Sequence, residues 1–135
     1  MISSRACPDH RLVLVRYSGE VREQDAAKWV EEAAAELKTM AIGFRLLVDM
    51  TGLTAMDVEC APFIERVMDM CQERGVADIV RVIPNPSQDI GMQIMSSFHY
   101  SPSVRIGICA TLEEAIALLA GKDPVDQALI RSAVA

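Results

Sequence analysis

The residues able to do chemistry in this 135-residue chain gather where its apolar runs end. Asp49, Thr51, Asp57, Glu59, Asn85, Ser87 and Asp89 gather at the carboxyl ends of predicted strands or in the segments after them. In an open α/β sheet that edge is where ligands bind. Carboxylates beside hydroxyls there could furnish a polar pocket or a hard-cation site, or be no more than a solvated loop edge. His99 falls at the far end of a predicted helix, roughly 18 Å from that helix's start. It is therefore expected at the edge opposite Asp57 and Ser87, interacting with the last carbonyls of its own helix. His10 lies in a predicted loop without a visible partner. No Gly-x-Ser-x-Gly elbow, phosphate loop or dinucleotide fingerprint occurs. The expectation is no catalytic residue, no resident metal and no cofactor, hence not an enzyme.

The cysteines lead to the same place. Cys7, Cys60, Cys71 and Cys109 form no Cys-x-x-Cys pair, and two histidines do not complete a zinc spacing. In apolar surroundings they read as reduced core residues of a cytoplasmic protein. Thirteen basic residues face nineteen acidic ones, for a net charge of -6. A non-specific nucleic-acid binder or a module for anionic membranes needs clustered cations, so both classes are disfavoured. No run is long enough to span a bilayer, and Met1–Cys7 lacks the apolar stretch of a secretory signal.

The elements that must position these residues alternate in type. Arg11–Tyr17 reads as a strand stopped by Ser18-Gly19, with Ile2–Cys7 as a weaker hairpin partner around Pro8-Asp9-His10. From Glu23 to about Met40, Ala26, Trp29, Val30, Ala33, Leu37 and Met40 recur at helical spacing, and Gly43 closes the helix. Phe44–Met50 suits an interior strand. A second helix spans about Asp57 to Glu73, with Cys60, Ile64, Val67, Met68 and Cys71 on one face. Either Pro62 sits in its first turn, or Asp57 caps it and Pro62 kinks it. Ala77–Ile83 is a further strand. Ser87 is a candidate cap for a third helix reaching about His99, with Ile90, Ile94, Met95 and Phe98 as its buried stripe. Val104–Cys109 is the last strand, and Thr111 with Glu114 fits a capping box before a fourth helix. Residues 1–121 are read as one domain, and 122–135 as a C-terminal tail whose Asp123-Pro124 could start a short helix. The order predicts an N-terminal β-hairpin followed by βα crossovers: an α/β fold with a mixed, mostly parallel sheet of about five strands and about four helices.

From Leu46 to Ala120 the sequence resembles STAS domains of bacterial anti-sigma-factor antagonists and the broader SpoIIAA-like (STAS/SEC14-like) family. The residues that carry the resemblance are Leu47-Val48-Asp49-Met50-Thr51-Gly52-Leu53, then Met56-Asp57, then Arg74-Gly75 before the strand Asp78–Ile83. Thr111-Leu112-Glu113-Glu114-Ala115-Ile116 is similar to the family's final helix start. A strand ending Gly19-Glu20-Val21 and the helix after it also fit. The resemblance implies a SpoIIAA-like fold and a regulatory module that binds a protein partner. Family members carry a phosphorylatable serine after an aspartate at the start of the second helix. The matching positions here are Asp57-Val58-Glu59-Cys60, and Val58 has no hydroxyl, so a phosphate switch is not expected at that position. Asp57 is then a helix cap, and Glu59 leaves a permanent carboxylate where phosphate charge would fall. Partner contacts are expected at Thr51, Asp57, Val58, Glu59 and Ser87. The alternative is a carrier of a small apolar, lipid-like ligand, because Met56, Met68, Met70, Met92 and Met95 cluster on the second and third helices. A metal-dependent enzyme is a third reading. A homodimer is the default symmetric assembly.

Overall fold

The computed structural model describes residues 1–85 and 90–135, the side chain of Ile90 excepted. The first apolar stretches form the expected hairpin. β1 (Ile2–Cys7) and β2 (Leu12–Val21) pair antiparallel around a 3-10 turn at Pro8–His10. β2 then lies parallel to β3 (Arg45–Met56), β3 to β4 (Asp78–Val82), and β4 to β5 (Arg105–Cys109). The sheet has five strands in the order β1-β2-β3-β4-β5. The α-helices among the described residues are α1 (Glu23–Leu37), α2 (Ala61–Glu73), α3 (Ile90–His99), α4 (Leu112–Ala120) and α5 (Pro124–Val134).

Alternation along the strands divides the interior into two layers. Val13, Val15, Tyr17, Leu46, Val48 and Ile79 meet Trp29, Ala33 and Leu37 of α1, Ile64, Val67, Met68 and Cys71 of α2, and Met92 of α3. On the other face Leu12, Leu14, Leu47, Val80 and Val82 meet Ala115 and Ile116 of α4 and Ile130 of α5. Burying a single leucine or isoleucine this way contributes about 1.5–3 kcal/mol. α5 is fixed at its start: the Asp123 carboxylate accepts from the N–H groups of Val125 and Asp126. Arg45 holds Asp126 through both carboxylate oxygens, at 2.5 and 3.2 Å.

Two strands run past their expected ends. β2 does not stop at Ser18-Gly19 and β3 does not stop at Met50; they stay paired to Val21 and Met56, with register shifts at Arg16/Ser18 and Gly19/Glu20. Gly19 takes a φ of +61°, a conformation open chiefly to glycine, so what reads as a turn is a bulge within a continuing strand. The extension carries the start of α2 beyond the edge of the shorter strands.

α3 differs in its face. Met92 and Ser96 are buried and Met95 is half-buried, whereas Ile94 is 55% and Phe98 81% exposed. The cause is Arg81, a cation buried in β4, whose Nη1 donates to Ser96 Oγ at 3.1 Å. A buried charge needs a polar partner more than the sheet needs another isoleucine, and that fixes the rotation of the helix.

Candidate functional site

The extended β3 leads to a rim at the start of α2. Asp57 donates its backbone N–H to Val21 O (3.0 Å) and accepts at its own carbonyl from Cys60 N–H (3.1 Å). These bonds tie Val58–Cys60 into a 3-10 turn, and α2 begins at Ala61. Pro62 thus lies in the first turn, where its missing N–H costs nothing, and it does not kink the helix. The Asp57 side chain makes no capping hydrogen bond, so its carboxylate is left at the surface of the rim rather than spent on the helix end.

Val58 crowns the turn at 83% exposure, with Glu59 exposed beside it and Cys60 fully buried beneath. Burial, and then the Asp57 charge, push the Cys60 thiol up; Asp25 and Glu23 add to the same effect. The field around the turn is therefore acidic. Arg22, a cation that feels the Asp57 charge, is itself held by Glu20 at 3.2 Å. Its own pKa is raised by that hydrogen bond, with smaller contributions from Asp57 and Asp25. Val58 thus presents an exposed apolar side chain between Asp57 and Glu59 on an acidic turn.

Thr51 stands apart from this. It is exposed on β3, and both its N–H (3.0 Å) and its Oγ (2.7 Å) donate to Asp49 Oδ1. Asp49 is buried and spends its other oxygen on Arg16. The strand-end acid is thus committed to structure. Ser87 and Asp89 lie outside the described residues. Among the described residues no group of three or more histidine, cysteine or carboxylate side chains is placed to hold a metal ion.

His99 is not bound to the last carbonyls of α3. Its Nδ1 lies 2.5 Å from Asp69 Oδ1 and its Nε2 3.6 Å from Glu65 Oε2, both on α2. It clamps the two helices together well along α2 from Asp57, and the two residues do not share a cleft. Sequence reasoning missed Arg81 and Arg16, and the available signal was the same for both: an arginine inside an otherwise apolar strand. The space beneath the methionine-bearing helices is a cavity of about 30 Å³ lined by Tyr17, Trp29, Met68, Met92 and Tyr100 among others. That is room for about one water. Met68 and Met92 are buried, and Met56, Met70 and Met95 are partly buried against the core.

The hairpin, the mixed sheet and the helices on both faces define a SpoIIAA-like α/β fold. No family model and no curated protein sequence matches the chain. Among solved structures it is similar to the anti-sigma factor antagonist SpoIIAA in its unphosphorylated form, with TM-score 0.63 and 15% identity over 90% of this chain and 99% of that one. An uncharacterised DUF3478-family protein with a SpoIIAA-like fold from Shewanella loihica PV-4 gives 0.64 and 13%, over 88% and 92%. The Bacillus cell fate determinant SpoIIAA in its phosphorylated form gives 0.61 and 15%, over 88% and 99%. Within the described residues, no helix is long and apolar enough to cross a membrane.

Proposed function

We propose that this chain is a regulatory protein-binding module, not an enzyme, and that Asp57, Val58 and Glu59 form the centre of its contact surface, with Thr51 at the margin. The observation that carries the reading is Val58: an 83% exposed apolar side chain on the turn that opens α2, flanked by Asp57 and Glu59 and standing over a buried thiol that feels the charges of Asp57, Asp25 and Glu23. Desolvated apolar anchors are where binding energy concentrates in protein interfaces. The surrounding charge selects a partner with a small apolar pocket rimmed by lysine or arginine. Support also comes from the fold shared with an anti-sigma factor antagonist. Val58 has no hydroxyl, so binding here is not switched by a phosphate at that position.

Affinity capture from the cytoplasm of the source cells tests this, using the wild-type chain and an Asp57→Arg variant as baits. A partner held by the wild type and lost from the variant supports the reading. Capture of nothing specific, or of the same set by both baits, refutes it. Carriage of a small apolar ligand between the methionine-bearing helices would require the 30 Å³ cavity to open. Native mass spectrometry of freshly purified protein separates the two readings, since only a carrier retains a bound lipid.

A further inference from the structure

β5 is one of the two edge strands of the sheet, and among the described residues no strand pairs with its outer side. Arg105 N–H donates to Ala77 O at 3.0 Å and Cys109 O accepts from Ile83 N–H at 2.8 Å, so residues 105, 107 and 109 turn their backbone groups toward β4. Backbone groups alternate sides along a strand. The N–H and C=O groups of Ile106 and Ile108 therefore point outward. These two residues also floor an open groove of about 580 Å³ against α3, bounded by Ser97, Tyr100 and Pro102. Ile106 is 39% exposed. On the opposite face Leu118 of α4, 58% exposed, leans over Gly107: a Cβ there would lie 3.5 Å from Leu118 Cδ1. Free edges are normally blunted by charge, proline or a bulge. Here the one charge within β5 is Arg105, at its start and paired with Asp78 at 2.6 Å.

We propose that β5 pairs antiparallel with β5 of a second copy of this chain, about a twofold axis through Gly107. The register follows from which groups face outward. Ile106 and Ile108 of the second copy exchange both N–H···O=C bonds, and symmetry repeats the pair. Gly107 then faces its own copy at the close, non-hydrogen-bonded position, where Cα atoms approach to about 4.5 Å. On one face four isoleucines meet and fill the grooves beside the two α3 helices. On the other, the two Leu118 side chains meet over the glycines. Charge is complementary in the same register. Arg105 at the start of one strand comes beside the end of the other, where Glu113 and Glu114 open α4. The twofold directs the ends of the two β3 strands opposite ways, so both Val58 rims stay free.

Sedimentation velocity of the full chain over a micromolar series tests this, with circular dichroism as the check on folding. The wild type should sediment as a dimer. Ile106→Lys and Leu118→Lys, both at exposed sites, should each raise the dimer Kd at least about tenfold while leaving the spectrum unchanged. Gly107→Cys should form a symmetric interchain disulfide under mild oxidation, since Cα atoms about 4.5 Å apart can be bridged. A wild type that is monomeric throughout the series overturns the proposal. So does a dimer indifferent to both lysine substitutions, or a Gly107→Cys chain no more readily cross-linked than the wild type.

Discussion

Arg16 Nε donates to Asp49 Oδ2 across 3.2 Å, from residues directly opposite one another in the β2–β3 register. Arg16 also donates to the Val134 carbonyl at 3.1 Å, and Asp49 also receives both donors of Thr51. One ion pair thus ties together β2, the strand β3 that leads to the rim, and the end of α5.

Asp49→Ala should be expensive. It strands the N–H and hydroxyl of Thr51 and half of an ion pair whose aspartate is 5% exposed. The expected loss is about 2–3 kcal/mol, below the range for a fully buried pair because Arg16 can turn to water. Asp49→Asn keeps an acceptor and should lose about 1 kcal/mol. Urea titration followed by circular dichroism measures both.

The rotation of α3 predicts an inversion of what its sequence implies. Phe98→Ser, at an 81% exposed position, should change stability by no more than about 0.5 kcal/mol. Met92→Ala, at 4% exposure, should cost about 2–5 kcal/mol. Equal losses for the two would show that the stripe Ile94–Phe98 faces the core after all.

How far the fold was legible explains that case. α1 and α2 announce their faces because each has one apolar stripe, and all the predicted positions on α2 are buried. α3 is apolar on two sides, so spacing alone selects Ile94 and Phe98, and only the buried Arg81 beneath it selects Ser96 instead. Cap chemistry was legible at Thr111, whose Oγ accepts from Glu114 N–H at 3.2 Å, although Glu114 turns to Ala110 N–H and not to the cap residue. It misled at Asp57, because a 3-10 turn intervenes and its backbone, not its carboxylate, shapes the helix start. The ends of β2 and β3 were hidden because a glycine bulge and a turn share one composition. His99 was placed on its helix correctly, but its acidic partners come from α2, a tertiary contact that no local pattern records.

Stability should fall in alkali. Burial pushes the Cys71 thiol up to about 12 and raises Tyr17 and Tyr100 above the ordinary phenol value. The native state therefore holds these protons more tightly than the unfolded chain. Their contribution is complete below about pH 9 and is lost as pH rises from there toward 12, by up to about 1.4 kcal/mol per pH unit for each proton. Chemical denaturation at stepped pH checks this, and a stability that is level or rising from pH 9 to 11 would contradict it.

The rim itself is tested most directly by a photo-cross-linking amino acid placed at position 58, with position 42 as the control. Val58 and Ile42 are similarly exposed, at 83% and 79%, but Ile42 precedes β3 and Val58 follows it, at opposite ends of that strand. Irradiation in the source cells should yield one discrete protein adduct from position 58 and none of that mass from position 42. No adduct at 58, or the same adducts from both positions, would contradict a partner surface at the opening of α2.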